Sequence, residues 1–280
     1  MSRLLAGILA GLASAVIWGS GDFAGGLAAR RDEAPQVVTL ASFSGFVIAL
    51  IAAVARQEAL PTGETIFWSS VAGLSGGLGI MLFYRALAIG PAGVVAPTAG
   101  VTGASVPVFF GILSSGMPHT RLLLGLLGGL AGIWLVSSGS GRAEAGARPL
   151  ALALLAGIAF GGFFVAFGHV PPGSLFAPLA VAKLSATLLA GGMLALQRRP
   201  LFPKTSPSLA ILAGILDAGG NLFYLLATQY TRLDIAAVTS SMYPGATVVL
   251  AGLLQRERIR PLQSIGIAMC LVAVAVIAAG

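Results

Sequence analysis

The chain is 280 residues long with a formal net charge of +7. Its 57% of A, V, I, L, M, F, W, Y and C residues together with 39 glycines make an apolar share of about 71%, against roughly 45–50% in soluble domains. Charged residues are 9% and mean hydropathy is +0.95, which excludes an ordinary soluble fold and points to a polytopic membrane protein.

A helix that crosses hydrocarbon needs about 20 apolar residues, with its backbone polar groups bonded internally. Segments of this kind run from Leu4 to Ala24, Pro35 to Ala55, Ile66 to Ile89, Ala92 to Ser115 and Arg121 to Ser138. After a hydrophilic stretch, GSGRAEAGARP, come Leu150 to Gly168, Ser174 to Leu196, Leu209 to Gln229, Ile235 to Leu254 and Pro261 to Ala279. The predicted fold is therefore all-α and integral to the membrane, with ten transmembrane helices and short loops that carry turn formers such as Gly90 and Pro91. The first segment follows Arg3 and contains Ala13, Ser14 and Ala15, as a cleaved signal would. It stays apolar through Trp18 and Phe23 to Arg30, longer than a signal core, and is read as a retained span.

The 16 Lys and Arg are scattered between apolar runs, so the positive charge orients spans and does not make a nucleic-acid surface. Ten of them, from Arg30 to Arg260, follow odd-numbered spans, while Arg3, Arg56, Arg121 and Arg232 fall on the other side. The positive-inside rule then places both termini outside the cytoplasm. The single cysteine, Cys270, allows no intrachain disulfide and no Cys-based metal site.

The chain also repeats itself. Leu82, Phe83 and Tyr84 recur as Leu222, Phe223 and Tyr224 at an offset of 140, and upstream Gly73 and Gly214 agree at 141. Each copy continues into a Pro-bearing span, with Pro107 and Pro244, and then a final apolar span. Two five-span units, 1–139 and 150–280 joined by a linker at 140–149, must lie in the membrane with opposite orientations, because five is odd. Such inverted repeats place a substrate site between the halves near the midplane.

Three stretches resemble the EamA-type branch of the drug/metabolite transporter superfamily: WGSGDF at Trp18 to Phe23, FYRALAIGPAGVVAPT at Phe83 to Thr98, and the segment from Tyr243 to Ile277 with Pro244, Glu257, Pro261, Gln263 and Gly266. The resemblance spans essentially the whole chain. It departs in the first repeat, where SSGMPHTRLLLG has no acidic residue to match Glu257. It implies export or exchange of small metabolites such as amino acids by a multi-pass protein of a bacterial inner membrane.

Ionisable groups inside spans are costly, so they face a bundle interior or a cavity and are functional candidates. Asp217 lies near the middle of span 8, and Asn221, one turn on, shares its face. Lys183, well inside span 7, is the candidate cation for Asp217; the two are read either as a structural pair or as a coupling site in which a carboxylate substrate or a proton replaces one partner. Asp22, near one end of span 1, reads equally as a site residue or a solvated cap. Trp18, Tyr84, Tyr224, Tyr230 and Tyr243 are candidates to line the cavity and stack on substrate, whereas Trp68 and Trp134 read as interface anchors. Arg85 reads as a snorkelling side chain, and Glu257 among Arg256, Arg258 and Arg260 as a turn ion cluster.

These readings favour a secondary transporter of a small polar metabolite, driven by proton or substrate gradients, with a flippase or exporter of lipid-linked or drug-like compounds as the alternative. No phosphate-cradling loop of the GxxxxGKS or GxxxxGKT kind occurs, so ATP hydrolysis is not expected. No cofactor is expected, and His119 and His169 have no second histidine at ligand spacing, so no metal site is expected either. An enzyme would need a nucleophile and base, a metal pair or paired carboxylates, for which only Asp22 with Asp217 offers material. Two complete repeats in one chain suit a working monomer, with a homodimer also open.

Overall fold

Lipid offers no partner to an open backbone, and every regular element among the described residues of the computed structural model is a helix. The structure describes residues 2–29, 31–89, 92–137, 147–243, 245, 246, 249 and 261–278; the side chains at 84, 87, 88, 92–97, 115, 137 and 278 lie outside that description. Ten helices fall within it: α1 (Arg3–Ala29), α2 (Ala34–Ala55), α3 (Gly63–Ile89), α4 (Ala92–Ser115), α5 (Thr120–Ser137), α6 (Ala147–Gly168), α7 (Phe176–Leu196), α8 (Pro207–Tyr230), α9 (Leu233–Ser240) and α10 (Pro261–Ala278). Six of them, α1, α2, α3, α6, α7 and α8, are long and apolar enough to cross a membrane, and α4, α5 and α10 contain shorter apolar helices. Large apolar side chains such as Ile51, Val54, Phe109 and Leu188 stand exposed on the outside, a surface suited to lipid and not to water.

Two boundaries differ from expectation. Helix α1 runs five residues past Ala24, because Ala28 is buried against Val37 and Ala210. The ninth span is not one helix: α9 stops at Ser240, Ser241 and Met242 form a turn, and helical geometry resumes at Tyr243. The sequence supplies the cause, since Pro244 has no N–H to offer the Ser240 carbonyl. Residues 251–260, with the expected Glu257 cluster, and 138–146, with most of the linker, lie outside the described residues.

The main helix pairings join the first half of the chain to the second. Helix α1 packs chiefly on α8, α3 on α6, α2 on α7 and α5 on α10. Along α1 from Gly7 to Ser14 to Gly21, the α8 neighbours descend from Thr231 through Gly220 to Asp217, so the pair is antiparallel. The same holds for α3 with α6, where Gly76 meets Phe163 and Gly79 meets Phe160, and for α5 with α10, where Gly125 meets Ile277 and Gly132 meets Cys270. It holds again for α2 with α7, where Thr39 meets Gly191 and Gly45 meets Lys183. By contrast α2 runs parallel to α8, with Ala41 on Gly214 and Gly45 on Ala218, and α3 runs parallel to α7, with Gly73 on Ala182 and Gly77 on Ala186.

Two of these close approaches are copies of each other. A side chain at Gly73 would run into the Ala182 carbonyl, and one at Gly214 into the Ala41 carbonyl, so each contact moved 141 residues along the chain becomes the other. The contacts of Gly21 with Leu216 and of Gly162 with Ser75 obey the same offset. The spatial register is therefore 141, and the tripeptide match at 140 stands one residue out of it.

Loop carboxylates of the first half cap helices of the second. Glu58 accepts from the N–H groups of Leu175, Phe176 and Ala177 at 2.8–3.2 Å, at the start of α7. Asp32 accepts from Lys204, Thr205 and Ser206 N–H at 2.8–3.1 Å and from the Ser206 hydroxyl at 2.5 Å, at the start of α8. Each satisfies donors that a helix start leaves open and places negative charge at the positive end of the helix dipole. The exposed Arg199–Glu33 ion pair at 2.6 Å adds little, since solvent screens it.

Two predictions follow from these contacts. Gly73→Ala and Gly214→Ala should each destabilise by about 1–3 kcal/mol, the cost of overpacking, and by similar amounts, read as melting midpoints in detergent; a large disparity would contradict the shared register. The Ser206 hydroxyl, joined by three individually weaker backbone N–H bonds, outweighs desolvation and holds the Asp32 carboxyl below its ordinary value. The stabilisation is then present above the ordinary Asp range and is lost as pH falls through the depressed value. Asp32→Asn should accordingly flatten the acid side of the melting-temperature profile.

Candidate functional site

Between the paired halves lies a cavity of about 930 Å³, its opening included, walled by α1, α2, α3, α4, α6, α7 and α8 and by the turn after α9. Its polar wall begins with Lys183, the eighth residue of α7, and Asp217, mid-way along α8. Their side chains form an ion pair, with Lys183 only 6% exposed and Asp217 28% exposed toward the cavity. Glycine makes room for the lysine, because a side chain at Gly45 of α2 would press on its stem at 3.3 Å.

Asn221 also lines the cavity, one turn beyond Asp217, and its Oδ1 accepts from Trp18 Nε1 at 2.9 Å. That bond fixes the indole over Gly220, where any side chain would collide with the ring. Trp18 in turn stands edge-on to Phe163, Phe164 and Tyr243, with centroids 5.8–6.5 Å away, a favourable arrangement of ring edges against faces. Asp22, one turn beyond Trp18 on α1, is exposed into the cavity. It makes no hydrogen bond or ion pair among the described residues.

The structure thus brings Trp18, Asp22, Lys183, Asp217, Asn221 and Tyr243 onto one cavity. Tyr224 does not join them. It is fully buried behind Trp18, and its hydroxyl donates to the Phe164 carbonyl at 2.7 Å, so packing and a backbone acceptor use up both its ring and its polar end. The Tyr84 side chain lies outside the described residues. Tyr230, 41% exposed at the end of α8, is not on the cavity wall. His169 stacks on Trp68 at 4.7 Å and meets Phe110 at 5.2 Å, away from the cavity.

Several lining residues carried no sequence signal of their own. Phe160, Phe163 and Phe164 join Phe83 of the repeated tripeptide in an aromatic wall, and Ser42 and Ser241 add hydroxyl-bearing residues. Ser241 is 1% exposed, and its hydroxyl, like that of Ser240, has no hydrogen-bond partner among the described residues. Asp234, fully buried at the start of α9, is held by Arg232 at 2.9 Å and serves the fold away from the cavity. The repeat register was the one available signal, since 141 residues separate Ser42 from Lys183 and Asp22 from Phe163.

Comparison with known proteins adds a family and a fold. The model of the EamA-like transporter family matches residues 5–138 and again residues 147–279. No curated protein matches the chain. A solved structure, titled only as the crystal structure of a protein, is 20% identical with a TM-score of 0.77 over 97% of this chain and 98% of that one, a likeness of fold alone.

The ion pair makes a direct prediction. Lys183→Ala leaves the Asp217 carboxylate without its cation and should cost about 1–3 kcal/mol, the scale of an unsatisfied partner, less than for a fully buried pair because the cavity wets Asp217. Lys183→Met combined with Asp217→Leu should recover most of that loss, read by thermal melting in detergent.

Proposed function

The chain belongs to the EamA-like transporter family, part of the drug/metabolite transporter superfamily, and on that premise we propose that it is a secondary active exporter or exchanger of small polar metabolites, amino acids or related compounds. It works by alternating access in a bacterial inner membrane, with ten spans arranged as two inverted five-helix repeats, 1–139 and 150–280. The observation that carries this reading is the Lys183–Asp217 pair with Asp22 on a cavity between the halves. Charges in the middle of long apolar helices are retained where a substrate or proton pathway needs them.

The helix directions support the inversion. Both α3 with α6 and its repeat counterpart α8 with α1 are antiparallel across the halves, as are α2 with α7 and α5 with α10. The interruption of the ninth span supports the site, since inverted-repeat transporters build their binding sites around broken helices, and here Ser241 and Tyr243 at the break face the cavity. In this mechanism Asp217 alternates between Lys183 and a proton or substrate group, and that exchange ties binding to the rocking of one half against the other. The aromatic wall favours a second reading, export of hydrophobic or drug-like compounds, in which Phe83, Phe160 and Phe163 carry most of the contact.

The test is flux in proteoliposomes under an imposed pH gradient, over a panel of amino acids, amines, organic acids and lipophilic drugs. Asp217→Asn should keep its fold and lose gradient-driven flux by about tenfold or more, the scale of a lost charge-assisted contact. Unchanged pH-dependent flux in that variant would remove Asp217 from the coupling step.

A further inference from the structure

The register of 141 residues that relates the two halves takes Asp22 to Phe163, Lys183 to Ser42 and Asp217 to Gly76, and all six residues line the cavity. Every charged liner among the described residues therefore has an uncharged counterpart across the pseudo-symmetry, and the cavity has one ionic side and one aromatic side. On the ionic side Lys183 is committed to Asp217. The carboxylate left over is Asp22, which faces the cavity without a hydrogen-bond or ion-pair partner among the described residues.

A second group at the turn after α9 is also unused. Ser241 lines the same cavity, and its buried hydroxyl bonds to nothing among the described residues. A buried hydroxyl without a partner costs free energy, which a ligand recovers by bonding to it. The Trp18 and Tyr243 rings, 6.5 Å apart between centroids, stand beside these groups, and the face of such a ring attracts a cation. The aromatic side, with Phe163 packed on Gly76 and Phe160 on Gly79, takes an apolar body. An anion finds nothing equivalent while the ion pair is closed, because the one described cation on the wall then has its carboxylate.

We propose that the cavity binds an organic monocation, its ammonium held by the Asp22 carboxylate and the Ser241 hydroxyl and its aromatic or apolar body laid along Phe83, Phe160 and Phe163. This rests on the transporter reading for its biological use, and within the small polar metabolites of that reading it selects amines over amino acids. The ammonium stays protonated throughout and no bond is made or broken. Asp217, Lys183 and the Tyr243 hydroxyl are the other titratable groups on the same wall.

Three probes with one phenyl body separate the charge classes: 2-phenylethylamine, L-phenylalanine and 3-phenylpropionate, titrated calorimetrically into the full chain in mild detergent and then tested for flux in proteoliposomes. The amine should bind most tightly. Asp22→Asn should weaken it by about tenfold or more, Asp22→Glu should restore part of the loss, and Ser241→Ala should weaken it by about threefold, a neutral hydrogen bond. If Asp22→Asn does not fold, Asp22→Glu and Ser241→Ala carry the test, and wild-type amine affinity in both overturns the proposal. It is also overturned if the wild-type protein fails to bind the amine, if 3-phenylpropionate or L-phenylalanine binds as tightly, or if Asp22→Asn binds like wild type. Flux of the zwitterion or the acid without amine binding would leave the transporter standing and refute the cation site. Amine binding with no flux of any probe would do the reverse.

Discussion

A charge placed midway along an apolar helix cannot be left to lipid, and the arrangement of α7 and α8 answers that constraint. Lys183 and Asp217 reach each other only because α2 lies against both helices and carries glycine where the lysine stem passes. The pair holds its register at a cost in desolvation that neither apolar packing nor backbone bonding demands. Around it the first half of the chain acts as the partner of the second, so that α1 closes on α8 as α3 closes on α6. The cavity is the space these pairings leave, and its chemistry follows from which half supplies each wall.

That supply is unequal, although the backbone is duplicated. Contacts such as Gly73 with Ala182 and Gly214 with Ala41 show the two halves using the same close approach twice, as small residues allow between membrane helices. The side chains at equivalent cavity positions have diverged, from Phe163 to Asp22 and from Ser42 to Lys183. Symmetry is kept where backbones touch and given up at the side chains that charge the cavity.

Much of this was legible in the sequence. Apolar runs of membrane-spanning length located most helices, and the depth of Asp217 and Lys183 marked them as partners before any contact was known, because an intramembrane charge requires one. The aromatic wall was not legible. Phe160, Phe163 and Phe164 sit in an apolar run where core, lipid face and cavity wall use the same residues, and only knowing which face of α6 meets α3 and α4 separates them. Tyr224 failed for the same reason in the opposite sense, since an aromatic with a hydroxyl was expected at the cavity and is buried against a carbonyl. Asp32 and Glu58 drew no reading of their own, because their partners, the starts of α8 and α7, lie more than a hundred residues away. The turn at Ser241 was foreshadowed only by Pro244, which a span of that length is able to absorb as a kink.

The two capping carboxylates have a consequence for water. Consecutive helices α7 and α8 run in opposite directions, since α2 is antiparallel to one and parallel to the other, so Glu58 and Asp32 hold their starts at opposite ends of the bundle. Releasing either carboxylate bares three amide N–H groups at a helix start, and only solvent can take them up. Any movement that parts the halves at one end is therefore also a hydration reaction, and its equilibrium responds to osmotic pressure. A solute too large to enter the gap would hold both ends shut without touching the protein.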